Sequence, residues 1–110
     1  MVTLVNRVQV GTLISTDQHK KLEEHCELTG QKKSRVIESA INLFLNLDNK
    51  EILQPENVVF QKLSTSFDEN QFKQVQKYIK EKEQEENKSI KMYLVLYSAL
   101  EAYLAKYGKN

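Results

Sequence analysis

The chain states one pattern twice. Residues 8 to 47 read as a short alternating strand, a capped helix, a break and a second apolar helix, and residues 58 to 107 repeat that order. One strand and two helices in under about 50 residues cannot bury a core alone. Each half is therefore expected to need the other.

In the first half, Val8, Val10, Thr12 and Ile14 alternate with Arg7, Gln9, Gly11 and Leu13, the period of a strand with one apolar face ending near Ser15. Ser15-Thr16-Asp17-Gln18 has the form of a capping box. The helix it starts runs through Leu22 and Cys26 to Thr29-Gly30, where glycine can take the left-handed conformation that closes a helix. A second helix starts at about Lys32, with Val36, Ile37, Ala40, Ile41, Phe44 and Leu47 on one stripe.

The segment from Asn46 to Asn57 holds the only proline, Pro55, and reads as a linker centred on 49–57. At about 3.3 Å per residue it can span on the order of 30 Å. That length lets residues 8 to 15 and 60 to 67 pair antiparallel within one chain. In the second half Leu63, Thr65 and Phe67 alternate with Lys62, Ser64 and Ser66, and Asp68-Glu69-Asn70-Gln71 repeats the cap. Phe72, Val75 and Ile79 mark the buried side of a helix whose polar end, Lys80 to Lys88, makes it about two turns longer than its counterpart. Asn87 or Ser89 is expected to cap the last helix, with Met92, Val95, Leu96, Ala99 and Tyr103 as its main stripe. Leu94, Tyr97, Leu100 and Leu104 are apolar on other sides, which suggests more than one packing partner.

Composition sets the class. The 110 residues are 40% hydrophobic and 28% charged, as in one ordinary globular domain. No apolar run reaches the roughly 18 residues of a membrane span, and MVTLVNRVQV lacks the ordered regions of an export signal. A cytoplasmic protein, in the host cytoplasm if viral, with no membrane partner is expected. Cys26 has no internal disulfide partner and reads as a small core residue. His19 and His25 lack a third ligand, so neither a metal nor any other cofactor is expected. There is no glycine-rich phosphate loop, nucleophile elbow or motif-placed carboxylate pair, and no enzyme is expected. The net charge of +1 is weak for a nucleic-acid binder, but Lys32, Lys33 and Arg35 cluster at a helix start.

Strand, helix, Gly30-Gln31-Lys32-Lys33-Ser34-Arg35-Val36-Ile37 and then Ala40 resembles the ribbon-helix-helix superfamily of MetJ, Arc and CopG type regulators. The match covers about 40 residues and recurs more loosely in the second half. Two such units in one chain resemble the tandem regulators of some archaeal viruses and plasmids. The resemblance implies an α+β, mainly helical fold. Units 1–48 and 58–110 would form an intrachain pseudo-dimer around a two-stranded antiparallel ribbon that enters the major groove of duplex DNA. The implied activity is sequence-specific transcriptional regulation. Carried over by position, Lys62, Ser64 and Ser66 would read bases from the second strand. On the first strand the outward residues are Gln9, Gly11 and Leu13; Gln9 suits adenine, and Leu13 suits either a thymine methyl or a packing contact with protein. The two strands differ, so the site read would be asymmetric. The family's phosphate clamp falls on Lys32, Lys33, Ser34 and Arg35. In the second unit it falls on Lys88, Ser89 and Lys91, with Asn87 or Lys88 replacing the glycine of the turn.

Plainer readings exist for the same residues. Lys62, Ser64 and Ser66 also suit the solvated face of a hairpin, and Lys32 to Arg35 an ordinary helix start. Tyr93, Tyr97, Tyr103 and Tyr107 suit a core or interface better than a base-stacking platform. The competing function is an antitoxin-like or plasmid-maintenance module that binds a protein, with DNA binding secondary. One ribbon covers one groove segment with few phosphate contacts. A homodimer, or a higher cooperative assembly on adjacent sites, is therefore expected through Tyr97, Leu100, Leu104 and Tyr107.

Overall fold

A computed structural model describes residues 6–48 and 50–108. The expected linker residue Asn49, and residues 1–5 and 109–110 of the two expected units, lie outside them. The elements run β1 (Arg7–Ser15), α1 (Thr16–Thr29), α2 (Lys33–Leu45), β2 (Phe60–Asp68), α3 (Glu69–Glu86) and α4 (Met92–Tyr107). They form a small α+β domain, and no described helix is long and apolar enough to cross a membrane.

Alternation makes each strand two-faced, and the strands pair so that the faces agree. β1 and β2 are antiparallel, Gly11 opposite Ser64 at the midpoint, Arg7 opposite Asp68 and Ser15 opposite Phe60. Each strand is one residue longer than the expected 8 to 15 and 60 to 67. A bare two-stranded ribbon is marginal in water, and here the helices cover its inner face. Ile14 and Phe67 are fully buried among Leu22 and Val75 and the stripes of α2 and α4, the helix pair in most extensive contact.

Each strand turns into its helix at a cap whose next residue is tied to the residue just before the other strand. Ser15 accepts from the Gln18 amide at 3.3 Å, and Asp68 accepts from the Asn70 and Gln71 amides at 2.8 and 3.3 Å. The Thr16 amide donates to the Val59 carbonyl at 2.9 Å, and the Glu69 amide to the Asn6 carbonyl at 3.0 Å. Capping is thus reciprocal between the two halves.

The same reciprocity holds inside. Gln18 Nε2 donates to the Tyr97 carbonyl (3.0 Å) and Glu101 Oε1 (2.9 Å); Gln71 Nε2 donates to the Glu38 carbonyl (2.8 Å) and Asn42 Oδ1 (3.0 Å). His25 meets Tyr103 edge-on at 5.4 Å, as Tyr78 meets Phe44 at 5.7 Å. In both pairs the first helix of one half grips the second helix of the other. This departs from the full capping box read in the sequence. The glutamine side chains are drawn to the neighbouring helix, where burial makes a hydrogen bond worth more than at the wet corner, and do not reach back to the cap.

Further details correct the sequence reading. α3 has 18 residues against 14 in α1, one turn longer and not two. Gly30 closes α1 at φ +73°, and Asn87 does the same for α3 at φ +54°. Asn87 therefore ends α3, and neither it nor Ser89 caps α4; that position belongs to Lys91. Cys26 is only half-buried, at the edge of the core. Leu47 lies past the end of α2 and is half-buried. Leu100 is fully buried, because α4 packs against α2, β1 and α1, so it cannot belong to an outer interface. The linker is also anchored: the Leu53 amide donates to Ser98 Oγ at 2.8 Å, and that buried hydroxyl donates to the Leu94 carbonyl.

Candidate nucleic-acid interface

Opposed residues of an antiparallel pair point to the same side. Gln9 faces Ser66, Gly11 faces Ser64, and Leu13 faces Lys62. The six outward residues read from the two strands therefore share one face, the face without helices. Gln9, Gly11, Lys62 and Ser64 are exposed, while Leu13 and Ser66 are half-buried. Among the described residues, the side chains of Gln9, Lys62 and Ser64 have neither hydrogen-bond nor ion-pair partners. They are donors and acceptors held on a rigid ribbon and left open.

The two ends of this face differ in chemistry. At one end Arg7 Nη2 donates to the Ser66 carbonyl and to Ser66 Oγ, both at 3.0 Å, and pairs with Glu38 of α2. These groups line a polar basin of about 710 Å³ with Gln31, Lys32, Ser34, Arg35 and Ser39. At the other end Phe60 stands where Arg7 stands, opposite Ser15 and two residues along from the Leu13 and Lys62 pair. It packs against Tyr93 at 5.2 Å and Tyr97 at 6.0 Å. Burial, with Glu101 and Asp17 adding to it, pushes the Tyr97 phenol up, so its ring stays neutral.

Arg7 is the residue the sequence reading missed. Its place on the outward set of β1 was legible, but its partners Ser66 and Glu38 are remote in sequence.

The helix starts flank the ribbon. α2 begins after Lys32 and α4 after Lys91, and neither cap residue has a side-chain hydrogen bond to its first turn. Neither first turn holds an acidic residue. Their free amides and positive dipole ends suit an anion. Lys32 and Arg35 are exposed beside the α2 start and Ser34 is half-buried there. Lys33 is turned away: its Nζ lies 3.6 Å from Glu23 Oε2 and 3.4 Å from His19 Nε2, on α1. Lys88 is similarly held 3.3 Å from Glu86. Ser89 and Lys91 are exposed. Of the second-half clamp, only Lys91 sits at the helix start.

Of the apolar residues expected at an outer surface, Tyr107 is 52% exposed, Leu104 and Tyr97 are half-buried, and Leu28 of α1, not expected there, is 65% exposed. Leu28 and Leu104 line one shallow cavity between the ends of α1 and α4. Among the described residues there is no cluster of three or more metal-ligating side chains.

No protein-family model matches the chain, and no match was found among curated proteins or solved structures.

Proposed function

We propose that the chain is a sequence-specific regulator of transcription whose ribbon enters the major groove of duplex DNA. On this reading it is an intrachain pseudo-dimer of two ribbon-helix-helix units. The observation that carries the proposal is the register: Gln9, Leu13, Lys62, Ser64 and Ser66 share a helix-free face whose flanks are two uncapped helix starts. A major groove about 12 Å wide admits a two-stranded ribbon. A cation, an amide and hydroxyls on its outer face match the donors and acceptors of base edges, while Lys32, Arg35 and Lys91 would fix the register on phosphates. The reciprocal Gln18 and Gln71 bonds support the pseudo-dimer.

The net charge of +1 is compatible with this because the carboxylates at the ribbon are engaged: Glu38 pairs with Arg7. Asp68 is the only acidic residue in either strand, and it is occupied as a helix cap. Selection of bound duplexes from a random library, at low and moderate salt, is the direct test. Recovery of a shared motif, with affinity falling steeply as salt rises, is expected. Absence of duplex binding at low salt overturns the proposal.

The exposed Leu28 and Tyr107 favour a second contact, with another copy of the chain or, on the antitoxin-like reading, with a partner protein. We expect the first, giving a light-scattering mass near twice 12.8 kDa at micromolar concentration. A mass of one chain that persists on DNA argues for the partner.

A further inference from the structure

The two halves differ most where the helices of each half meet. Between α1 and α2 the seam is polar: Glu23 lies 3.1 Å from His19 and 3.6 Å from Lys33. Counted from the caps, His19, Cys26, Gln31 and Lys33 have as counterparts Phe72, Ile79, Ile90 and Met92. The seam that is polar in the first half is apolar in the second. It is also open, because α3 and α4 scarcely touch. Between them and the free edge of β1 at Val10 lies a groove of about 930 Å³, within the size range of small-molecule sites. It runs along α3 from Lys73 to Gln84, on the order of 16 Å at 1.5 Å per residue.

The wall of the groove decides what suits it. Lys73, Lys77 and Lys80 line it. Lys73 is paired with Glu69 at 3.2 Å, but Lys77 and Lys80 have no carboxylate within ion-pair distance among the described residues. Glu81 lines the groove too, so with Lys73 offset by Glu69 the wall keeps one positive charge in excess; the other carboxylates of α3 lie past it, at Glu83, Glu85 and Glu86, where they engage the Ile90 amide, Lys82 and Lys88. An apolar floor beside unpaired ammonium groups is complementary to an acyl chain that ends in an anion.

We propose that this groove binds a free anionic amphiphile, a fatty carboxylate or its equivalent. The apolar chain lies on Phe72, Ile79, Ile90 and Met92, and the charged head meets Lys77 and Lys80. The site reaches the outer face of the ribbon only at Gly11, which has no side chain, and uses none of the base-reading side chains, so it does not depend on the DNA reading.

Calorimetric titration of the full chain with decanoate, and with decanol as the uncharged control, tests it. Saturable one-to-one binding of decanoate is expected. Lys77→Glu with Lys80→Glu, two surface changes, should weaken decanoate at least about tenfold and leave decanol unchanged. Gln76→Trp, which fills the groove from an exposed position, should abolish both. No decanoate binding by the wild-type chain overturns the proposal. So does decanoate affinity that is indifferent to the lysine pair, or binding that survives Gln76→Trp. Concentration-dependent dimerisation that Gln76→Trp abolishes would identify a second copy as the occupant and overturn it equally.

Discussion

Arg7 and Glu38 pair at one end of the ribbon in the position where, at the other end, Phe60 and Tyr97 meet as rings 6.0 Å apart. A repeated frame thus carries a guanidinium and a carboxylate on one side and two aromatic rings on the other. If the ribbon reads DNA, the two half-sites are read by different chemistry, and binding has one orientation. Arg7→Ala should change base preference only in the half-site beside Ser66, by about 1 to 3 kcal/mol. Selection with the variant and the wild type checks this. An even loss over the whole site would mean that Arg7 contacts phosphate only. Glu38→Gln, which removes a partly exposed ion pair, should cost under about 1 kcal/mol in chemical denaturation.

Lys62 is exposed, unpaired and opposite Leu13. Lys62→Ala should therefore leave the unfolding midpoint unchanged while lowering the preference for the selected motif over random duplex by about 1 to 3 kcal/mol. Retained preference would reassign the reading face.

Lys32 and Lys33 are neighbours in sequence but not in role. Lys33 already has Glu23 and His19 as partners, whereas Lys32 is an exposed helix cap. Lys32→Ala should weaken binding to all sequences alike and reduce the slope of log affinity against log salt by about 0.9, one released counterion. Lys33→Ala should do much less. Equal effects would show that Lys33 leaves α1 when DNA binds.

The repeat of strand and helices, the left-handed closure at Gly30 and the stripe of α2 could be read from the sequence because each depends on local spacing; the antiparallel pairing is expected from the small size of each half and the length of the linker. Alternation places Gln9 and Lys62 on their strands' outward faces without knowledge of the partner. What could not be read depends on distant pairs. Leu100 was indistinguishable from Leu104 as an outer residue until the position of α4 against α2 was known. The Gln18 side chain matched a capping box locally, and only the Tyr97 carbonyl, far along the chain, draws it elsewhere. Arg7 looked like one more polar residue on an alternating strand until Glu38 and Ser66 came beside it.

Gln18 and Gln71 are buried in matching places with different acceptors, and that difference is testable by charge. Gln18 faces the Glu101 carboxylate, whereas Gln71 faces the Asn42 amide. In Gln18→Glu the new carboxylate sits at a 2% exposed position against Glu101 and the Tyr97 carbonyl, so its pKa in the folded state is raised above the unfolded value of about 4.3. The folded state then binds protons more tightly than the unfolded one, so the penalty is absent at low pH and grows as pH rises through the window between the two values. At neutral pH the cost should be on the order of 3 kcal/mol. Gln71→Glu should cost less, because the Asn42 side chain can rotate to present its amide donor to the new carboxylate. Urea denaturation of both variants at neutral pH and near pH 4 reads the difference. Equal losses that do not depend on pH would mean that Glu101 swings clear of position 18, and that the Gln18 bond to the Tyr97 carbonyl alone holds the two halves together there.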